Sequence, residues 1–167
     1  MPATRAQYLV VALAVLLLGT AAGTPIPTAF RFEVSAGPQL HQLWKASADA
    51  RTERVACLAA TIESDTVRIS DVFPLGASRS DSLGVSARAS LDTCGPPRWR
   101  GTVHTHVALR DGRRPYNLFS GADRGVMMMW WQQWREEGVF CLLYTEHDVI
   151  CEIEGPDSAV LFPRSQY

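Results

Sequence analysis

The chain has 167 residues and a formal net charge of −1 at pH 7, with 47% hydrophobic and 20% charged residues. This length allows one domain with a short additional segment and excludes barrel enzymes of roughly 250 residues. The hydrophobic fraction is enough for a packed core. The balanced charge gives no electrostatic basis for binding nucleic acid, because neutralising phosphates takes an excess of Lys and Arg.

The first 24 residues have the layout of an export signal. Arg5 precedes an apolar run at 8–18, and small residues follow at 19–23. A positive start, a short apolar run and small residues are typical of a secretory signal peptide. A membrane anchor through 8–23 is the main alternative, since a span needs roughly 20 residues, and a buried core helix is the third. With a signal or an anchor, the rest of the chain is expected to be exported: periplasmic, secreted or anchored.

Beyond a linker at 25–37, the sequence predicts one α/β domain at 38–155, followed at 156–167 by a C-terminal tail or a short last strand. Apolar residues recur at helical spacing in 38–50, which predicts a helix. Alternation and β-branched residues predict strands, and a second helix lies between them. These further elements are strands at 54–62, 66–73, 85–91, 99–109, 139–144 and 149–153, and a helix at 120–137.

The cysteines contain no CxxC pair, which argues against a structural zinc ribbon. They are Cys57, Cys94, Cys141 and Cys151. In an oxidising compartment four cysteines can form two disulfides by three connectivities. Cys141 and Cys151 flank a predicted hairpin turn and can face each other across it, whereas buried free thiols are an equally good interpretation.

The most informative residues are two histidines in the predicted strand 99–109. His104 and His106 lie on one face of that strand, about 6–7 Å apart along the chain, so both imidazoles can reach one ion. A carboxylate can supply the third ligand of a zinc ion. Ser120 and Asp123 follow at the start of the second helix, a pattern that is also typical of a helix cap. The two interpretations are compatible, because a cap holds Asp123 rigidly.

Taken together, these residues resemble the JAMM (MPN+, JAB domain) family of zinc metalloproteases, prokaryotic type. The family's early strand motif E-x-x-G-x-L-x-G is matched from Glu53 onwards, with Ala56 and Ala60 in place of the glycines. The H-T-H and S-x-x-D pieces described above follow in the same order, so the resemblance covers roughly 38–155. It implies a single JAMM/MPN-like α/β domain with a mixed, mostly antiparallel curved sheet flanked by helices.

By this resemblance, His104, His106 and Asp123 bind one Zn²⁺ per chain. Glu53 is the general base that deprotonates the zinc-bound water, and Ser120 hydrogen-bonds the oxyanion of the intermediate. The implied activity is that of a hydrolase, a metallopeptidase or isopeptidase that acts on a peptide or an isopeptide-linked protein. Glu63, at the far end of the same predicted strand, is the alternative base, but it lacks the motif context.

The chain departs from the family pattern after the second histidine. Val107 replaces the usual proline, and the thirteen residues of 107–119 form a longer spacer than the family's. The spacer is rich in arginine, which suits either a solvated loop or contact with an acidic substrate. The helix that follows is apolar on several sides, which predicts either burial against the sheet or an exposed patch for a partner.

Two other functions remain open at this stage. One is a non-catalytic MPN-like interaction or scaffold module outside the cytoplasm, in which the ligands are typically lost. The other is a different hydrolase with an H-x-H motif, which needs more ligands and a larger fold. The retained motif residues favour the zinc peptidase.

Overall fold

A computed structural model describes residues 27, 29–76, 80–81, 84–85, 87–110, 112–155 and 164–166. The predicted signal or anchor at 1–24 lies outside the described residues. Among the helices of the described part, none combines the length and the hydropathy that crossing a membrane requires.

The described residues form one α/β domain built on a central sheet. In chain order the strands are β1 Ala29–Phe32, β2 Val55–Glu63, β3 Thr66–Pro74, β4 Ser80–Asp81, β5 Gly84–Val85, β6 Gly101–Thr105, β7 Leu109–Arg110, β8 Arg114–Pro115, β9 Gly138–Leu143, β10 Val149–Glu154 and β11 Arg164–Gln166. Seven of them form the sheet, in the order β10-β9-β6-β2-β3-β1-β11. Two two-stranded ribbons, β4-β5 and β7-β8, stand beside it.

Three helices, α1 Ala36–Ala50, α2 Ala87–Thr93 and α3 Gly121–Trp134, flank the two faces of the sheet. Strand residues alternate between the faces, so β9 contributes Val139 and Cys141 to one core and Phe140 to the other. The first core contains the buried side chains of α1, and the second contains those of α3.

The predicted mixed α/β architecture is confirmed, although the balance of parallel and antiparallel strand pairing differs from the prediction. The six pairings of the sheet divide into three antiparallel and three parallel ones, so parallel pairing is more frequent than expected. The two predicted hairpins are present as β2-β3 and β9-β10.

Two segment predictions are corrected. The linker at 25–37 contains β1, which pairs with β3. At the C-terminus the structure has a short last strand, β11, which pairs with β1 and is one of the two predicted alternatives. Strands this short have too few residues to show an alternation. The strand predicted at 85–91 is mostly helix α2, and the buried residues Ser90, Leu91 and Cys94 have helical spacing.

Gly101 allows β6 to pair closely with β9 and so places the histidine-bearing strand. A Cβ atom at this position would lie 1.7 Å from the carbonyl oxygen of Val139. Any larger residue would push β6 away from β9, and the two histidines would move with it.

All four cysteines form disulfides. Cys57 in β2 is joined to Cys94 just after α2, across 37 residues. Cys141 and Cys151 are direct partners in the register of the β9-β10 hairpin, ten residues apart. The first bridge therefore fastens α2 to the centre of the sheet, and the second fastens an edge strand to its neighbour.

The longer disulfide loop should contribute more stability. In the chain-entropy account, closing 37 residues is worth about 4 kcal/mol and closing ten about 3 kcal/mol. We expect Cys57→Ala/Cys94→Ala to lower the free energy of unfolding by about 1 kcal/mol more than Cys141→Ala/Cys151→Ala. Urea unfolding of both double variants, in the same oxidising buffer, measures the difference. A larger loss from the hairpin bridge would contradict this expectation.

Candidate metal centre

The end of β6 holds both histidines on the face of the sheet that carries α3. His104 is the partner of Leu142 in β9, and the backbone N–H of His106 donates to the carbonyl of Leu143 at 3.0 Å. The two Nε2 atoms are 3.3 Å apart. Thr105, between them, points to the opposite face, where its hydroxyl bonds that of Ser47 in α1 at 2.5 Å. The side chains of this segment therefore alternate between the two faces as predicted, and hydrogen bonds hold the segment to β9 and to α1.

A capping box at the start of α3 positions the carboxylate. The Ser120 hydroxyl accepts from the Asp123 N–H at 3.2 Å, and Asp123 Oδ2 accepts from the Ser120 N–H at 2.6 Å. Both side chains are thereby locked in the first turn. The predicted helix cap is therefore present, and it holds the Asp123 carboxylate at the start of α3.

The carboxylate of Asp123 meets both imidazoles. Its Oδ1 lies 3.2 Å from His104 Nε2, and its Oδ2 lies 3.5 Å from His106 Nε2. One ligand atom from each of the three residues lies within 4.8 Å of the other two. Ligands of a tetrahedral zinc ion are about 3.3–3.5 Å from each other. The donor set and its spacing therefore fit a metal ion such as Zn²⁺.

Glu53 reaches the same place because of strand register. In the antiparallel pairing of β2 with β6, Val55 is the partner of His104, so position 53 comes opposite position 106. The Arg54 N–H donates to the Thr105 hydroxyl at 2.9 Å, which fixes this crossing. Glu53 Oε1 lies 3.7 Å from His106 Nε2, and one third of its side chain is exposed.

The alternative base, Glu63, lies away from this group. It closes the other end of β2, about 30 Å along an extended chain from residue 53. Its carboxylate is exposed and accepts from Arg68 Nε at 2.8 Å. Of the two candidates, only Glu53 has a contact with the histidines.

The long spacer, 107–119, supplies a contact that the sequence did not indicate. It forms the β7-β8 ribbon, and the carbonyl of Tyr116 then lies 3.1 Å from His106 Nδ1. A hydrogen bond donated by Nδ1–H leaves the lone pair of Nε2 free for a metal. A backbone carbonyl carries no sequence signal, so only the fold reveals this partner.

The contacts within the site shift the pKa values of Asp123 and His106 in opposite directions. Burial alone would raise the pKa of Asp123, but hydrogen bonds from His104 and His106 outweigh it and hold that pKa well below its usual range. Burial alone would lower the pKa of His106, but the Asp123 hydrogen bond, the Glu53 charge and the Tyr116 carbonyl outweigh it and raise that pKa. The carboxylate is therefore ionised at neutral pH, as a metal ligand must be.

The four side chains open into a cleft of about 410 Å³. Its polar residues meet an apolar wall that includes Tyr116 and Met129, both partly exposed at its rim. The predicted apolar helix α3 is buried on one side through Met127 and Trp130, while Met128 is exposed on the other. Burial and an exposed patch thus occur on the same helix.

The structure is similar to that of a JAB1/MPN domain protein from Archaeoglobus fulgidus, with 14% sequence identity and a TM-score of 0.41. The similarity covers 86% of this chain and 99% of that chain. No family model matches the sequence, and no curated protein matches it. A likeness at this level does not establish a shared activity, so the function has to be inferred from the site itself.

Replacing one imidazole tests the metal centre. We expect purified wild-type protein to carry about one zinc per chain and His106→Ala to carry almost none, because two protein ligands hold zinc too weakly. Metal analysis by mass spectrometry gives the ratio. His41→Ala is the matched control, since His41 is exposed and pairs with Glu146 at 3.1 Å, outside this group. Equal zinc in both variants would contradict the assignment.

Zinc affinity should fall in mild acid. The metal needs the neutral form of His106, whose pKa is raised in the metal-free protein. Below that pKa each pH unit should weaken binding by about tenfold or more, because both histidines must be neutral, and the decline should start at a higher pH than for an ordinary histidine. Asp123, with its lowered pKa, stays ionised over this interval. Zinc titrations between about pH 5 and pH 8 measure the slope, and a flat profile would contradict the prediction.

Proposed function

We propose that this protein is a zinc-dependent metallopeptidase of the JAMM type, hydrolysing a peptide or isopeptide bond with Glu53 as general base. The observation that carries the proposal is a convergence. Two histidines from β6, a carboxylate from α3 and a glutamate preceding β2 meet in one open cleft, although they are spread over seventy residues of sequence. These are the residues that the motif resemblance selected.

His104, His106 and Asp123 are the residues that would hold the ion, since their donor atoms have the spacing that zinc needs. When bound in such a site, Zn²⁺ acts as a Lewis acid and lowers the pKa of water to about 7. The protein's part is to keep one imidazole nitrogen of each histidine and one oxygen of the Asp123 carboxylate within 4.8 Å of one another.

Glu53 has the position and the exposure of a proton carrier. Its carboxylate lies beside the three ligands without belonging to their group, and one third of it is in contact with solvent. It can accept a proton from the attacking water and return it to the departing amine.

Ser120 can stabilise the charge that develops on the carbonyl oxygen. Its oxygen accepts from the Asp123 N–H in the helix cap, so its own O–H remains available to donate. A hydrogen bond to the oxyanion of the tetrahedral intermediate is typically worth about 3 kcal/mol. Ser120 would therefore both cap the helix and donate a hydrogen bond to the oxyanion.

An exported location is part of the proposal. The signal-like segment at 1–24 supports it, and so do the two disulfides, because such bonds persist in oxidising compartments. The substrate would then be a secreted or envelope peptide with an extended segment that fits the apolar wall of the cleft.

Glu53→Gln should separate binding from chemistry. We expect this variant to keep its zinc and to lose about 10²–10⁴-fold in kcat, because glutamine has the size of glutamate but cannot accept the proton. Glu63→Gln, at the opposite end of β2 from Glu53, is the matched control and should keep full activity. Turnover is measured on a peptide library with zinc-loaded protein.

The same assay distinguishes the proposed peptidase from a non-catalytic scaffold. Zinc-loaded wild-type protein that cleaves no peptide or isopeptide bond would leave a non-catalytic interaction module. A fully active Glu53→Gln would show that another group is the base.

A further inference from the structure

We propose that Arg124 and Glu152 are positioning residues for the metal centre, an inference that rests on the metal site proposed above. Their ion pair fastens the first turn of α3 to the sheet and thereby sets the place of Asp123. Through the ring of Phe119 it also supports His104. Neither residue belongs to the ligand set or to the motif resemblance.

The ion pair is bidentate and reaches into the interior. Arg124 Nη2 donates to Glu152 Oε1 at 3.0 Å, and Nη1 donates to Oε2. Glu152, in the edge strand β10, is only 2% exposed. Such two-pronged pairing fixes direction as well as distance, which a single contact does not. The Arg and Lys ion pairs elsewhere in the described residues join side chains that are both at least one third exposed.

The first turn of α3 needs such an attachment. The buried side chains of the helix, Met127 and Trp130, come only in its second and third turns. In the first turn Gly121 and Ala122 are exposed, and no described residue of that turn is buried. Apolar packing therefore holds the later turns, whereas the turn that carries Asp123 is held by the Arg124–Glu152 pair and by the site itself.

Arg124 also touches the second ligand through an aromatic ring. Its guanidinium carbon lies 5.3 Å from the centre of the Phe119 ring, and the His104 ring packs on the same phenyl ring at 5.7 Å. Displacement of Arg124 would free Phe119 to shift and would remove one wall of the His104 imidazole. One guanidinium thus braces a carboxylate ligand and an imidazole ligand together.

Zinc affinity in two isosteric or conservative variants tests the positioning role. Glu152→Gln keeps the size and one acceptor of the side chain. Arg124→Lys keeps the charge but loses the two-pronged geometry. We expect both to bind zinc about 10–100-fold more weakly than wild type, the usual effect of losing a group that orients ligands. Competition with a chromophoric chelator, at a temperature where circular dichroism shows each protein folded, gives the dissociation constants.

A spectroscopic signature separates positioning from general destabilisation. Co²⁺ in place of Zn²⁺ absorbs visible light according to its ligand geometry, so both variants should shift or weaken its bands. Glu136→Gln is the matched control, because it removes the surface pair with Arg100, 3.1 Å across, just beyond the opposite end of α3. It should leave both the zinc affinity and the Co²⁺ spectrum unchanged.

The outcomes differ for the two proposals. A wild-type chain that binds no zinc would contradict the metal site, and the positioning role with it. A wild-type chain that binds zinc, with Glu152→Gln and Arg124→Lys binding it equally well and giving the same Co²⁺ spectrum, would overturn the positioning role alone. If Glu152→Gln does not fold, Arg124→Lys decides the question.

Discussion

The site depends on one carboxylate, that of Asp123, which makes two sets of contacts at once. One of its oxygens closes the helix cap with the Ser120 N–H at 2.6 Å, and its two oxygens face the histidine Nε2 atoms at 3.2 and 3.5 Å. The start of α3 therefore cannot move without moving the carboxylate that faces both histidines. Anything that attaches this turn to the sheet, such as the pair between Arg124 and Glu152, becomes part of the site's geometry.

The sheet brings Glu53 and the two histidines together through the register of its strands. β6 lies between β2 and β9, so the residues just beyond its end meet the residues just before β2. This crossing puts Glu53 opposite His106. Gly101 keeps β6 close to β9, and the disulfide from Cys57 fastens α2 over the same face. The framework around the site is thus made of paired strands and disulfide-linked elements, and Ala108 and Tyr116, on either side of the β7-β8 ribbon, complete the wall of the cleft.

Short-range patterns indicated the residues of the candidate metal centre, whereas its long-range contacts could not be predicted from the sequence. The alternation around His104 and the cap pattern from Ser120 to Asp123 are local, and both are present as predicted. The proximity of Glu53 came only from the motif resemblance, because register between strands is not readable from one strand. Arg124 and Glu152 are 28 residues apart, and each is an ordinary charge in its own segment. β1 was missed because a strand of four residues carries too little periodicity, and for the same reason the three residues of β11 left a tail as the alternative to a last strand.

The central claim is that His104, His106 and Asp123 together bind one zinc ion. The most direct test is an anomalous difference map at the zinc absorption edge from crystals of the zinc-loaded protein. The account predicts a single strong peak about 2.0–2.2 Å from Nε2 of each histidine and from an Asp123 oxygen. A map without a peak at this place, or with its only peak bonded to other residues, would contradict it.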